Sequence, residues 1–425
     1  MTPISKSALV HDVEPGPLTF CQVCNSEDLE LVIDLGHQPL CDSLLRSDQL
    51  NQPETNYPLR LMRCRVCTLA QLDYVVPGEI VFHRNYPYRA GITQEVVDHH
   101  RESAAESVKH YGLTADSLVV DIGSNDGTLL TAFKNQGVRV LGVEPTNIAD
   151  IANANGIETI KSPFTESVAT DIQRDYGNAS LITATNVFAH MAPLGEVIRG
   201  IKRLLKDGGL FMSETHYLLD IIKGVQYDTI YHEHIRSYSL KSLVHLFEAN
   251  DFTVVDAIRV ERYAGTLRVF AAKGKNLPRS ESVTRLLAEE KEFGLHEPEV
   301  YKTFRERSIR AKNDLLKLAL EVTERGDKFV GNSCPGRCST LLNFTGISRD
   351  LMPYIAEQPT SLKLGLYLPG KQIPVLNNEI LLREQPDYVV LLAWHYAKPI
   401  AQLLRERGLK SKLVAPLPDV KVLDL

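Results

Sequence analysis

A chain of 425 residues is too long for one ordinary core and implies two or three domains. Its 44% hydrophobic and 24% charged residues are those of a globular protein, and no apolar run approaches the roughly 18 residues that cross a membrane. Residues 1–20 carry acidic residues and prolines where a secretory leader would be apolar, so a cytoplasmic, soluble protein is expected. A net charge of −6 argues against a nucleic-acid binder, which needs a basic face.

In chain order, residues 1–84 read as short extended pieces, such as 31–33 and 69–76, set among Pro, Gly and Cys. Two C-x-x-C pairs, Cys21/Cys24 and Cys64/Cys67, supply four thiolates, enough to close a tetrahedral zinc site with no open position. The alternative is four buried thiols. Cys41, Cys334 and Cys338 are left without a role.

Residues 85–273 begin with a helix over 93–110 and continue as strands near 118–122, 139–143, 181–185 and 210–214 separated by helical stretches, the pattern of a mostly parallel sheet. Between the first two strands, Asp121-Ile122-Gly123-Ser124-Asn125-Asp126-Gly127 is a glycine turn opening a helix, where backbone amides can meet a ligand. Glu144 ends the next strand about twenty residues on, where a carboxylate can hold ribose hydroxyls. The spacing is G-x-x-x-G, with Asn125 in place of the second dinucleotide-type glycine, which favours S-adenosylmethionine over NAD. Asn186 and His190 follow the strand at 181–185, at a carboxyl end of the sheet.

Tyr231-His232-Glu233-His234 places four hydrogen-bonding or titratable side chains in a row. As a metal site His-x-His is weak, whereas a histidine base oriented by Glu233, with Tyr231 donating to an oxyanion, is coherent acid–base chemistry. A polar turn ahead of a helix near Leu240 is the structural alternative. Residues 274–425 read as a long amphipathic connector helix spanning 300–322, followed by a compact α/β unit with strands near 328–331, 362–366 and 388–392. There, residues 331–338 nearly match a P-loop, but Arg337 and Cys338 replace its Lys and hydroxyl, which rules out an NTPase and leaves Arg337 to pair with a phosphate.

The order of these motifs resembles the sugar C-methyltransferase family over nearly the whole chain. The likeness is carried by the two Cys pairs, Leu35-Gly36-His37-Gln38-Pro39-Leu40, Tyr57-Pro58-Leu59, the turn at 121–127, residues 186–190, Asp228-Thr229-Ile230-Tyr231-His232-Glu233-His234, residues 339–343 and 367–374, and Pro386-Asp387-Tyr388. The resemblance implies a zinc module, a central class I methyltransferase domain with a Rossmann-like sheet, and a C-terminal Rossmann-like α/β domain that helps hold a nucleotide-linked sugar. By the same resemblance His234 is the base, Tyr231, Glu233 and His190 line its pocket, and Tyr86 or Tyr88 approaches from the N-terminal side. Asp121, Gly123, Asn125, Gly127, Glu144 and Asn186 are expected at the cofactor, and Arg268, Arg337, Asn343 and Lys371 at the substrate.

Methylation next to the keto group of a nucleotide-linked deoxysugar, at C3 of a 4-keto sugar, is therefore expected. The alternatives are an O- or N-methyltransferase on a related glycan precursor and a non-catalytic scaffold. Three segments depart from the family: Arg262-Tyr263-Ala264-Gly265-Thr266-Leu267-Arg268 stands for His-Gly-Gly-Ser-Leu-Arg, residues 331–337 lack the family's lysine, and Arg89-Ala90-Gly91 replaces a serine pair.

Overall fold

The computed structural model describes residues 12–82 and 89–423. The central sheet has seven strands, Leu118–Ile122, Arg139–Val143, Thr159–Ile160, Ala179–Thr185, Leu205–His216, Phe252–Val260 and Thr266–Lys273. Numbered in chain order they lie 3-2-1-4-5-7-6, with the seventh antiparallel to its neighbours. The first strand is buried along its whole length because helices cover both faces of the sheet, which is why it reads as an apolar run broken only by Asp121 rather than as an alternation. This is the class I methyltransferase form of the Rossmann-like fold.

The second α/β unit has six strands, Phe329–Asn332, Ile355–Glu357, Val375–Asn377, Tyr388–Leu391, Lys412–Ala415 and Lys421–Leu423, in the order 3-2-1-4-5-6 with only the last antiparallel. The strand expected at 362–366 is instead a turn. Gly365 takes φ +78°, Leu362 is 60% exposed, and Lys363 is drawn inward, its Nζ donating to Asp42 Oδ1 at 2.7 Å and to the Cys334 carbonyl at 3.0 Å. The true second and third strands are three residues each, too short to show a period.

Four antiparallel strands, Leu29–Gln38, Tyr57–Cys64, Ala70–Leu72 and Arg236–Ser237, form the N-terminal sheet, so its edge is supplied from the segment directly after His234. The helix Pro298–Glu324 is more than a connector. Its Arg305 donates to the Leu31 and Val32 carbonyls at 2.8 and 2.7 Å, covering the far edge of that sheet. No helix among the described residues is long and apolar enough to cross a membrane.

Candidate active site

The four Sγ atoms of Cys21, Cys24, Cys64 and Cys67 lie within 4.8 Å of one another, with Cys21 to Cys67 at 3.4 Å and Cys24 to Cys64 at 3.5 Å. Four sulfurs about 2.3 Å from one zinc ion would be separated by similar distances, so the cluster fits a closed, structural zinc site.

At the carboxyl end of Leu118–Ile122 the chain turns at Gly123, φ +69°, where a Cβ would sit 2.6 Å from both methyl groups of Val187. Only glycine allows this approach between the first and fourth strands, at the point where strand order reverses and ligands collect. Glu144 closes the turn from the second strand, its Oε2 accepting from the Asn125 amide at 3.1 Å and its Oε1 from the Thr146 amide at 2.9 Å. Asn125 Oδ1 accepts from the Ala90 amide at 2.9 Å. Asp121 accepts from the Thr183 hydroxyl at 2.6 Å, and burial pushes its carboxyl up to about 7. Asn186 has φ +56° and an Oδ1 buried without a hydrogen-bond partner among the described residues. A carboxylate with spare lone pairs, a glycine-shaped gap and an orphaned amide oxygen fit the adenosyl and amino-acid parts of S-adenosylmethionine.

Asn186 also lines a cavity of about 10 Å³, enough for one water molecule, with His190, Thr215, His216 and His234. The His234 ring lies 4.9 Å from His190 and 4.8 Å from His216, centroid to centroid. His234 Nδ1 is 2.7 Å from the Thr229 carbonyl oxygen, which can only accept, so Nδ1 carries the proton and Nε2 keeps its lone pair. Nε2 accepts from the Tyr231 hydroxyl at 2.8 Å. Burial holds His234 down to about 4, and burial together with the facing His234 ring holds His190 and His216 well below the usual histidine range. At neutral pH the three imidazoles are therefore uncharged, in the form that can accept a proton. Burial, then Cys41 and Glu233, push the Tyr231 phenol well up, so it stays a donor.

Three expectations change. Glu233 is not the group that orients His234, since the Thr229 carbonyl does so. Glu233 Oε1 instead accepts from the Cys41 thiol at 3.3 Å. Arg268 is not open to substrate, because it lies across the sheet from Glu214 with Nε to Oε2 at 2.7 Å, and His99 Nε2 meets the other oxygen at 2.7 Å. Against burial, which raises it, His99 and Arg268 hold Glu214 down to about 2. Arg268→Met should therefore destabilise the fold by about 3–5 kcal/mol in a denaturant titration, the cost of leaving one buried partner alone. A substrate-binding arginine would leave stability unchanged and raise the sugar KM. Arg337, 6% exposed, is likewise engaged, with Nε and Nη2 donating to Asp228 Oδ2 and Oδ1 at 2.8 Å each.

Asn343 is half-buried and donates to the Ser339 and Pro369 carbonyls at 2.9 and 3.1 Å, holding the turn that carries Lys371 rather than meeting the histidines. Tyr86 and Tyr88 lie outside the described residues. The sequence assigns no role to His216, Trp394 and His395, and Asp228 enters it only as part of a family motif. His216 ends the fifth strand, and the rule that singles out Asn186 at the fourth applies to it equally. Trp394 and His395 follow the fourth strand of the C-terminal sheet in the same way. Tyr263 bridges the two sets, 5.9 Å from His216 and 6.3 Å from His395. The carboxyl ends of the parallel strands of the two sheets thus face one another across it.

Three family models match successive parts of the chain: a zinc binding domain at residues 21–82, a methyltransferase domain at 97–257 and a C-methyltransferase C-terminal domain at 262–418. Over 413 residues the chain is 35% identical to the C-methyltransferase NovU of Streptomyces niveus, covering 96% of this chain and 97% of that one. The chain belongs to the sugar C-methyltransferase family. As in that family, it is an S-adenosylmethionine-dependent C-methyltransferase with a zinc-binding module. Solved structures similar to this sugar C-methyltransferase family member include YcgJ of Bacillus subtilis, with 19% identity, a TM-score of 0.33 and coverage of 48% of this chain and 88% of that one. Another is the 1,6-didemethyltoxoflavin-N1-methyltransferase of Burkholderia thailandensis, with 23% identity, a TM-score of 0.33 and coverage of 41% and 78%.

Proposed function

We propose that the chain methylates the carbon beside the keto group of a nucleotide-linked deoxysugar, C3 of a 4-keto sugar, with His234 as the base. The observation that carries this reading is the His234 imidazole, its Nδ1 proton tied to the Thr229 carbonyl and its Nε2 facing a buried phenol. A carbon next to a ketone is a nucleophile only after losing a proton, and a neutral imidazole beside a hydroxyl donor serves both needs. The sugar ketone oxygen would take the O–H of Tyr231, which frees Nε2 for the proton on the adjacent carbon. The C–H electron pair then moves into the enolate, with its negative charge on the oxygen that Tyr231 supports. S-adenosylmethionine supplies an electrophilic sulfonium methyl when bound. His190, His216 and Tyr263 would enclose the sugar ring, and the nucleotide would lie at the reversal point of the C-terminal sheet, beside His395.

Incubation of a 4-keto sugar nucleotide with the enzyme in deuterated water, with S-adenosylhomocysteine in place of the donor, should exchange the C3 hydrogen. Methyl transfer to oxygen or nitrogen without any C3 exchange would defeat the reading. The pH profile offers a further check. A histidine held at about 4 in the folded enzyme is deprotonated throughout pH 5–8, so kcat/KM should hold its plateau through pH 6 and fall only toward pH 4. An acidic limb near 6.5 would belong to an exposed histidine and would remove His234 from the role.

A further inference from the structure

The segment from Gln226 to Ile230 is gripped by the C-terminal unit at several points. Arg337, at the start of the helix Arg337–Thr345, makes its two bonds to Asp228 and a third from Nη2 to Gln226 Oε1 at 3.3 Å. Trp394, on the loop after the strand Tyr388–Leu391, donates its Nε1–H to Asp228 Oδ2 at 2.8 Å, and its ring lies 4.9 Å from the Arg337 guanidinium carbon. Thr340, on the same helix as Arg337, donates to the Ile230 carbonyl at 3.1 Å. Asp228 has no exposed surface, so a carboxylate held there depends on these donors.

One residue further along, the Thr229 carbonyl accepts the Nδ1 proton of His234, and the Thr229 hydroxyl closes the turn on the Gln226 carbonyl at 2.7 Å. We infer that Arg337 and Trp394 are positioning residues for the base His234, acting through Asp228 and the Thr229 carbonyl. A bond made only to hold two units together would serve anywhere on their interface. This one ends on the residue next to the carbonyl that fixes the tautomer of the base, so displacement of the turn alters which nitrogen is free. The catalytic segment is accordingly in register only while the C-terminal unit is seated. The inference rests on the assignment of His234 as the base.

The test uses the full chain, zinc-loaded and labelled with ¹⁵N-histidine. The Nδ1 proton of His234, assigned by its loss in His234→Asn, should give a slowly exchanging signal in the wild type. In Trp394→Phe, which removes one N–H and keeps the ring packing, that signal should shift and exchange faster. The methyl-transfer kcat should fall about tenfold with the S-adenosylmethionine Kd unchanged. Arg337→Lys, which keeps the charge but loses the two-pronged geometry, should cost on the order of 100-fold, the scale of a small misplacement of a catalytic group. The acidic limb of kcat/KM should move in both, because a displaced turn weakens the Thr229 bond that favours the protonated ring and admits water to a ring otherwise faced by His190, His216, Tyr231 and Arg236, with Arg337 beyond. Folded variants with an unmoved Nδ1 signal and an unmoved pH limb would overturn the inference. The two readings can fail separately: a shifted Nδ1 signal in an enzyme that never exchanges C3 hydrogen supports the positioning role and defeats the proposed reaction.

Discussion

His234→Asn should lower the methyl-transfer rate by about 10²–10⁴, the usual contribution of a general base, and leave S-adenosylmethionine affinity unchanged. Asparagine is the informative replacement because its amide N–H can still reach toward the Thr229 carbonyl, which His234 Nδ1 meets at 2.7 Å, while nothing replaces the Nε2 lone pair. The cofactor turn should not feel the change, since Asp121, Gly123 and Glu144 lie at the carboxyl ends of the first two strands and bond to Thr183, Val143, Asn125 and Thr146, while Asn186, which shares the cavity, is not among the hydrogen-bond partners of His234. Calorimetric titration with S-adenosylmethionine and single-turnover methyl transfer measure the two quantities separately. C3 hydrogen exchange should fall in parallel with methyl transfer, because both pass through loss of the same proton. A variant that methylates at a near-normal rate would shift the base elsewhere, with His216 and His190 the next nearest imidazoles.

The fold is legible where the pattern is local. The apolar run 118–122, its glycine turn and the carboxylate at 144 announce the central sheet because each sits within one strand or one turn of the next. The paired cysteines announce their site for the same reason. What the sequence hides are pairings between distant segments. Arg268 looks like a substrate arginine until Glu214 and His99 are seen beside it, and Arg337 looks like a phosphate ligand until Asp228 is found 109 positions away. Glu233 invites the role of orienting its neighbour, yet its oxygen faces Cys41, 192 positions away, because successive side chains on a turn point to different surroundings. Residues 362–366 mimic a strand because leucine falls at every second position, and only the left-handed Gly365 and the buried ammonium of Lys363 reveal a turn. For Arg268 and Arg337 the charge that reads as available to a ligand is already engaged by a buried carboxylate.

Loss of zinc should have the second large effect, and it should reach the base without touching the cofactor. Cys64→Ser removes one of four ligands at the end of the strand Tyr57–Cys64, and a structural zinc site contributes on the order of 10 kcal/mol to folding of the module that holds it. That strand pairs with Ala70–Leu72, which in turn pairs with Arg236–Ser237, and the Leu72 amide donates to the Ile235 carbonyl at 2.9 Å. His234 is the next residue back along the chain. The metal therefore secures one end of the base-bearing segment while the Asp228 contacts secure the other, six residues away. Cys64→Ser, or wild type stripped by a strong chelator, should lose one zinc per chain by elemental analysis and become susceptible to protease within residues 12–82. Methyl transfer should fall steeply while S-adenosylmethionine still binds, because the seven-stranded sheet takes no strand from the zinc module. Zinc-free protein that resists protease and turns over normally would show that the cysteine cluster is dispensable to the base, and would leave the Thr229 carbonyl and the Asp228 contacts to hold His234 by themselves.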